Sequence, residues 1–184
     1  PVRKHDHRFA ARQFAHAPDG TGHLSAAPKG NTGDGLRLGE SVGARVASDL
    51  PHAAAWAPVS RVPREDGGFS GFAHLMDRAK PGFLAVRQDG RRFVNEADSY
   101  HDYMCALFDA CGPEEPPVSW LICDHRAQRR YGLGWSKPFP FPTASHVRMG
   151  YLIKDPTLAG LARQCGIDAQ QLEATVNSFN QFAE

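Results

Sequence analysis

From residue 83 onward, apolar residues recur at two different spacings, which together predict a mixture of strands and helices. Residues 83–87 form a short apolar run that ends in a charge, and residues 118–124 form a second apolar run, so both are predicted to be strands. Residues 125–131 are predicted to be a short helix with Asp124 as its cap. After Ser99, apolar residues recur three and four positions apart, which predicts a longer helix; they are Tyr100, Tyr103, Met104, Leu107 and Phe108.

A turn signal follows the first of these strands. Residues 88–90 are Gln-Asp-Gly, and Asp-Gly is a strong hairpin signal. Residues 91–95 are therefore predicted to return as the second strand of a β-hairpin, which would deliver Asn95, Glu96 and Tyr100 to the start of the next helix. Polar groups in such a place can be held rigidly and still be reached from one side, so we expect a functional site here.

The last thirty residues carry the clearest helix signals. Asp155 is predicted to cap a helix whose first residue is Pro156, and Gly166 is predicted to end it. Asp168 is predicted to cap a second helix, with Gln171 three positions later as in a capping box. The spacing of the second helix predicts a buried stripe, made of Leu172, Val176, Phe179 and Phe182.

A glycine-rich segment near the N-terminus is the second informative site. Residues 30–35 are Gly-Asn-Thr-Gly-Asp-Gly, and the spacing of residues 36–45 predicts a helix directly after them. A glycine-rich turn at a helix N-terminus exposes backbone N–H groups and the positive end of the helix dipole. The same pattern is also an ordinary helix cap, and no Lys-Ser or Lys-Thr follows that would make it a P-loop.

The remaining segments predict little regular structure. Residues 47–80 are rich in proline and glycine and are predicted to be loops, with His74 at the surface. Residues 134–146 form an aromatic loop that we interpret as a lid or a pocket wall. Residues 1–30 lack a sustained period apart from a short helix predicted over residues 8–14. The histidines there have no third ligand at a useful spacing, so no metal site is predicted.

Composition excludes several classes of protein. A net charge of +1 argues against binding to nucleic acid or to an anionic membrane. No apolar run approaches the roughly 18 residues of a membrane span. The four cysteines show no CxxC pair, so they predict neither a zinc cage nor a disulfide framework, and reduced thiols favour a cytoplasmic location.

Three motifs in order resemble one flavoprotein family. Residues 90–96 match the pattern G-x-R-F-x-N-E, with Tyr100 four positions later, residues 32–35 are TGDG before a helix, and residues 154–180 resemble a terminal helical pair. The family includes fumarate reductase, succinate dehydrogenase and the 3-ketosteroid dehydrogenases. The resemblance implies FAD as the cofactor, with Asp34 contacting it and with Thr32, Gly33 and Gly35 shaping the turn.

The resemblance also implies a fold. We expect an α+β capping domain over residues 47–184, with a small strip of the FAD-binding domain, including the TGDG loop, over residues 1–46. No G-x-G-x-x-G fingerprint follows a strand in this sequence. Both main parts of the FAD-binding domain are thus expected to lie outside the sequence. As a fragment it should neither bind FAD tightly nor turn over substrate alone.

Two departures from the dicarboxylate branch of the family bear on the substrate. Ala55, next to Trp56, stands where those enzymes place a substrate-binding histidine, and Tyr100 stands where they place a proton-donating arginine. The ketosteroid dehydrogenases have a tyrosine in that position, which implies that Tyr100 transfers a proton. We assign the substrate pocket to Trp56, Arg92 and Glu96, although Arg92 and Glu96 could simply pair with each other and Tyr100 could simply be the first apolar contact of its helix.

The predicted activity is oxidation or reduction of a carbon–carbon bond beside a carbonyl, with an apolar ketone or enone as the small-molecule substrate. The first alternative is a flavoprotein of the same family that acts on a dicarboxylate or keto acid, for which Arg78, His146 and Arg148 are the candidate anion-binding residues. The second alternative is a non-catalytic binding or structural domain in which the residue 90–100 segment is only architectural.

Overall fold

The structure is a computed structural model that divides into two compact units, residues 1–55 and residues 56–184, called here the N-terminal and C-terminal units. It describes residues 24, 28, 30–47, 49–52, 54–112 and 115–182. The helix predicted over residues 8–14 and the nearby histidines, His5 and His7, lie outside the described residues. Within those ranges, no helix is both long and apolar enough to cross a membrane.

Helix α1 (Asp34–Ser41) is the regular element of the described part of the N-terminal unit. It starts directly after Gly33, whose φ of 92° lies in the left-handed region that glycine adopts without strain. The predicted helix is thus present, but it begins and ends earlier than residues 36–45. It ends where the backbone N–H of Ala44 donates to the carbonyl of Gly39 at 3.0 Å.

The C-terminal unit mixes helices and strands, as predicted. Its strands are β1 (Val59–Pro63), β2 (Phe69–Ala73), β3 (Phe83–Val86) and β4 (Trp120–Cys123). Its helices are a 3₁₀ helix (Asp77–Ala79), α2 (Tyr100–Ala110), α3 (His125–Tyr131), α4 (Ala144–Arg148), α5 (Leu158–Cys165) and α6 (Ala169–Gln181). The predicted cap of α3 is confirmed, because Asp124 accepts from the N–H of Ala127. Helix α2 also has a side-chain cap, which was not predicted: Ser99 accepts from the N–H of Asp102.

Strand β3 pairs with β4, and the predicted return strand over residues 91–95 does not form. β3 and β4 are antiparallel, with Phe83 opposite Cys123 and Val86 opposite Trp120. The turn at residues 88–90 is present, but only a single bridge joins Val86 to Arg92 after it. On the edge of β3 that faces residues 91–95, the backbone N–H of Ala85 donates to the side chain of Glu96 and not to the carbonyl of a neighbouring strand.

An antiparallel hairpin, β1 with β2, occupies part of the segment that was predicted to be loops. Val59 lies opposite Ala73 and Pro63 opposite Phe69. Gly71 stands opposite Arg61, whose guanidinium lies 4.8 Å from the centre of the Phe69 ring. β2 is largely exposed and β1 has a single buried residue, Val62, so neither strand shows the alternation of buried apolar residues by which a strand is recognised in sequence.

His74 is buried, contrary to the prediction that it lies at the surface. Its Nδ1 is hydrogen bonded to Asp77 Oδ2 at 2.7 Å and its Nε2 to Ser60 Oγ at 2.8 Å. Ser60 Oγ is in turn 2.9 Å from the hydroxyl of Tyr151. This chain of hydrogen bonds ties the β1–β2 hairpin to the segment that follows α4, and it satisfies the polar ring atoms that burial would otherwise leave unpaired.

The core lies between the β3–β4 sheet and the last two helices. The buried cluster consists of Leu84, Val86, Ala162, Ile167 and Leu172. Val176 and Phe179 pack against it, but Phe182 is 88% exposed, so the predicted buried stripe of α6 ends one turn early. The periodic pattern continues to the end of α6, whereas the core that it faces does not.

The starts of the two last helices differ in how well they were predicted. Asp168 caps α6, as predicted, and accepts from the N–H of Gln171 at 2.8 Å. Thr157, and not Asp155, caps α5: its hydroxyl accepts from the N–H of Gly160 at 3.0 Å, and Asp155 accepts from both the N–H and the hydroxyl of Thr157. Gly166 ends α5 in the left-handed conformation, as predicted.

Candidate functional site

Tyr100 is the first residue of α2 and remains 38% exposed. The residue before it, Ser99, fixes the start of the helix by accepting from the N–H of Asp102 at 3.1 Å and donating to its carboxylate at 2.8 Å. A side chain at this position lies at the positive end of the helix dipole. The local sequence thus places the Tyr100 phenol on a capped helix end, where it is accessible to solvent and where negative charge is favoured.

Glu96 anchors the segment that leads to Tyr100. Its carboxylate is buried and accepts from the backbone N–H of Ala85 in β3 at 2.8 Å. The same carboxylate accepts from Nε of Arg92 at 3.0 and 3.1 Å, and this hydrogen bond raises the pKa of Arg92. Arg92 also lies over the ring of Phe179, 5.5 Å from its centre. Two of the three residues assigned to a substrate pocket are therefore engaged with each other, which was the structural alternative.

Trp56, the third of these residues, is buried against helix α2. Its ring meets that of Phe108 edge to face at 6.1 Å, and its backbone N–H donates to Nδ1 of His101 at 3.1 Å. His101 directly follows Tyr100 in the helix. The fold thus brings Trp56 to the helix that presents the phenol.

Arg78 lies buried in the 3₁₀ helix, and its guanidinium faces backbone carbonyl groups. Burial lowers the pKa of this side chain, although nearby acidic groups oppose that effect. Sequence reasoning offered Arg78 only as a binder of substrate carboxylates, together with His146 and Arg148 of α4. Nothing in the local sequence marks an arginine as buried, so its role was missed.

In the N-terminal unit, the predicted cofactor loop forms a compact turn before α1. The hydroxyl of Thr32 donates to Asp34 at 3.1 Å, and Arg37 pairs with the same carboxylate from the next turn of the helix. These two contacts, that of Arg37 first, lower the pKa of Asp34. Asp34 and Gly35 are exposed, and a methyl group at Gly35 would meet no atom within 4 Å.

A cleft of about 590 Å³ opens elsewhere on the C-terminal unit. Its walls are mostly apolar and come from the core face of the sheet and from α5 and α6; they include Leu84, Ile122, Leu161, Val176 and Phe179. Cys123 also lines the cleft, and burial raises the pKa of its thiol to about 12. Thr143, in the segment 134–146, contributes to the wall of this cleft. The aromatic residues of that segment, Trp135, Phe139 and Phe141, are exposed, and the guanidinium of Arg129 lies over the ring of Phe139.

Comparison with known proteins gives a consistent result over most of the chain. The family model described as FAD binding domain matches residues 5–184. The 4-oxocyclohex-2-ene-1-carboxylate 5-dehydrogenase of Sinomonas cyclohexanicum is 36% identical over 169 residues, which is 92% of this chain and 28% of that protein. The 3-oxosteroid 1-dehydrogenase of Mycobacterium tuberculosis is 37% identical over 158 residues, which is 83% of this chain and 27% of that protein.

A solved structure agrees with these relatives. The crystal structure of 3-ketosteroid delta1-dehydrogenase from Sterolibacterium denitrificans, in complex with 1,4-androstadiene-3,17-dione, superposes with a TM-score of 0.67 and 34% sequence identity. The match covers 87% of this chain and 28% of that chain. The sequence thus spans a little over a quarter of the length of the proteins that it matches.

Proposed function

Because this chain belongs to the FAD binding domain family, we propose that it is part of a dehydrogenase that oxidises a carbon–carbon bond beside a ketone. The observation that carries the proposal is Tyr100, an accessible phenol at the positive end of α2, at the end of a segment held by buried hydrogen bonds. In this role Tyr100 removes a proton from the carbon next to the carbonyl. It does so as the phenolate, whose oxygen carries the negative charge before the transfer and is neutral after it; the positive end of the helix dipole lies beside that charge.

The loop before α1 has the chemistry to bind part of FAD. Asp34 is an exposed carboxylate, and carboxylates accept hydrogen bonds from the hydroxyl groups that FAD carries. The first turn of α1 offers backbone N–H groups without helical partners, and Gly35 leaves the approach open. When bound, FAD supplies the hydride acceptor of the reaction. We assign Thr32, Gly33, Asp34 and Gly35 to its binding.

The substrate class follows from the relatives and from one arginine of this chain. The relatives are named for ring ketones, a 3-oxosteroid in one case and an oxocyclohexene carboxylate in another. In this chain, Arg78, one of the three candidate anion-binding residues, is committed to backbone carbonyls and is therefore not available to bind a dicarboxylate. We therefore propose an apolar ring ketone or enone as the substrate, with Trp56, Arg92 and Glu96 assigned to its pocket.

We also propose that residues 47–184 are the capping domain of the full-length enzyme and residues 1–46 a strip of its FAD-binding domain. The division of the chain after Ala55 supports a boundary in this region. The cap would position the substrate and exclude water from the reaction. A cytoplasmic location and the inactivity of the 184 residues alone stay predictions.

The test is a Tyr100→Phe substitution in the full-length enzyme. The proposal expects kcat to fall about 100- to 10,000-fold, the usual contribution of general acid–base catalysis, with flavin content unchanged. Tyr131→Phe at the end of α3 is the matched control and should leave kcat unaltered. Assays use a 3-oxosteroid, an oxocyclohexane carboxylate and succinate in parallel, with an artificial electron acceptor. An unchanged kcat for Tyr100→Phe would refute the assignment, and turnover of succinate alone would refute the substrate class.

A further inference from the structure

Arg78 is a buried cation whose hydrogen bonds converge on the segment that precedes Tyr100. Only 2% of the residue is exposed. Removing a charge from water is costly, so a guanidinium in this position needs close compensation by other groups. In this chain the compensation comes from carbonyl oxygens of the backbone. The positions of these carbonyls along the sequence indicate what Arg78 does.

The carbonyls belong to two separate segments. On one side, Nε donates to the carbonyl of His74 at 3.0 Å and Nη2 reaches that of Leu75 at 3.4 Å. On the other side, Nη1 donates to the carbonyl of Glu96 at 2.8 Å and Nη2 to that of Asp98 at 2.9 Å. The guanidinium therefore joins the segment just before the 3₁₀ helix to the turn that immediately precedes α2.

The face of the same guanidinium is also used. It lies 4.9 Å from the centre of the Tyr103 ring, and Tyr103 is a buried residue of the first turn of α2. Tyr103 is held in turn by Phe93, edge to face at 5.2 Å, and by a hydrogen bond of its hydroxyl to Ser119 at 2.8 Å. Arg78 thus contacts both the turn before Tyr100 and the helical turn that begins with it.

Glu96 holds the segment from its other side. Its backbone carbonyl accepts a hydrogen bond from Arg78, and its side-chain carboxylate accepts one from the N–H of Ala85 in β3. The segment is fixed between two rigid elements, and little freedom remains for the residues that follow. Arginine suits this place better than lysine because its planar fork directs several donors at once.

We propose that Arg78 is a positioning residue for Tyr100, setting the place of the phenol against the substrate through the carbonyls of residues 96 and 98. The inference rests on the proposed role of Tyr100 in proton transfer. Misplacement of a reacting group by about 1 Å can cost about 100-fold in rate. Loss of the Arg78 fork should accordingly reduce kcat and leave the binding of substrate and flavin almost unchanged.

The test is a double-mutant cycle in the full-length, flavin-loaded enzyme. Arg78→Lys is made with Tyr100 present and again with Tyr100→Phe. The matched control is Arg87→Lys, at an arginine that directly follows β3 and pairs with Glu115. We expect Arg78→Lys to lower kcat about 10- to 100-fold with KM within about twofold, and to have less than about a twofold effect when Tyr100 is already Phe. Arg87→Lys should change kcat in neither background.

Each other outcome is decisive. An equal loss from Arg78→Lys in both backgrounds, or no loss in either, overturns the positioning role while leaving the function of Tyr100 standing. If Tyr100→Phe alone leaves kcat unchanged, the proposed function itself fails. Should the buried lysine prevent folding, Arg78→Met removes the charge altogether and is taken through the same cycle. If neither variant yields flavin-loaded protein, Arg78 is required for folding and the proposal is overturned.

Discussion

Gly90, in the turn before the Tyr100 segment, should tolerate no side chain. Its φ is 75°, and a methyl group there would lie 2.7 Å from the backbone nitrogen of Leu172 and 2.9 Å from the carbonyl oxygen of Asp168. The turn also bonds to α6 directly: the N–H of Asp168 donates to the carbonyl of Gln88 at 3.0 Å, and the hydroxyl of Thr175 donates to that of Gly90 at 2.8 Å. Any added atom must therefore separate the turn from the first residues of a helix.

The cost of Gly90→Ala has two parts. A non-glycine residue in the left-handed conformation costs about 1–2 kcal/mol. Forcing an extra carbon into a closely packed place costs about 1–3 kcal/mol more, and backbone atoms of a helix cannot move aside as a flexible side chain could. The free energy of unfolding should thus fall by about 2–5 kcal/mol. Gly67 has a nearly identical φ of 77° with no atom within 4 Å of the added methyl group, so Gly67→Ala should show only the first part, about 1–2 kcal/mol.

The measurement is urea unfolding followed by tryptophan fluorescence. All three tryptophans, Trp56, Trp120 and Trp135, lie in the C-terminal unit, which contains both glycines. With a slope of about 2 kcal/mol per molar urea, Gly90→Ala should lower the midpoint by about 0.5–1.5 M more than Gly67→Ala. Equal midpoints for the two variants would refute the argument, because they would show that the contact with α6 contributes nothing beyond backbone strain.

Two further predictions concern stability. Leu172→Ala, at a fully buried position of the core, should lower the free energy of unfolding by about 2–5 kcal/mol, whereas Phe182→Ala on the exposed end of the same helix should change it by less than about 0.5 kcal/mol; comparable losses in urea unfolding would contradict the assigned core. Burial by itself would raise the pKa of Asp77, but the hydrogen bond and charge of His74 outweigh it and hold the pKa below 3.8. A lowered pKa stabilises the fold above pH 3.8 and loses that contribution as the pH falls through the folded value, so Asp77→Asn should flatten the acid limb of a stability profile, and an unchanged limb would refute the pairing.

Local signals in the sequence were read correctly where a few neighbouring residues decide the structure. The caps at Asp124 and Asp168 and the end of a helix at Gly166 all appear as predicted. Each depends on a side chain and a backbone group within about three residues, or on a backbone angle that glycine alone adopts easily. Family membership was likewise carried by short motifs, and the comparisons confirm it.

The prediction of α5 shows the limit of that local reasoning. Both Asp155 and Thr157 are good caps, and the sequence places a proline between them, so either could begin the helix. The structure uses both residues: the hydroxyl of Thr157 accepts from the first turn of the helix, and the carboxylate of Asp155 accepts from that hydroxyl. Two acceptors so close together can be ordered only by their three-dimensional arrangement.

Contacts between distant residues decided the rest of the candidate site. One edge of β3 pairs with a strand more than thirty residues away, and the carboxylate of Glu96 takes the other edge, which the predicted return strand would have occupied. Arg78 can be buried because it donates to the carbonyls of Glu96 and Asp98, about twenty residues further along the chain. No local pattern in the sequence distinguishes it from an exposed arginine. The sequence by itself determined strands β3 and β4, most of the helices, the family and Tyr100 as the candidate residue, since these depend on neighbours and on motifs. Only the tertiary structure decided what holds Tyr100 in place, since burial and hydrogen-bond partners arise when distant segments pack together.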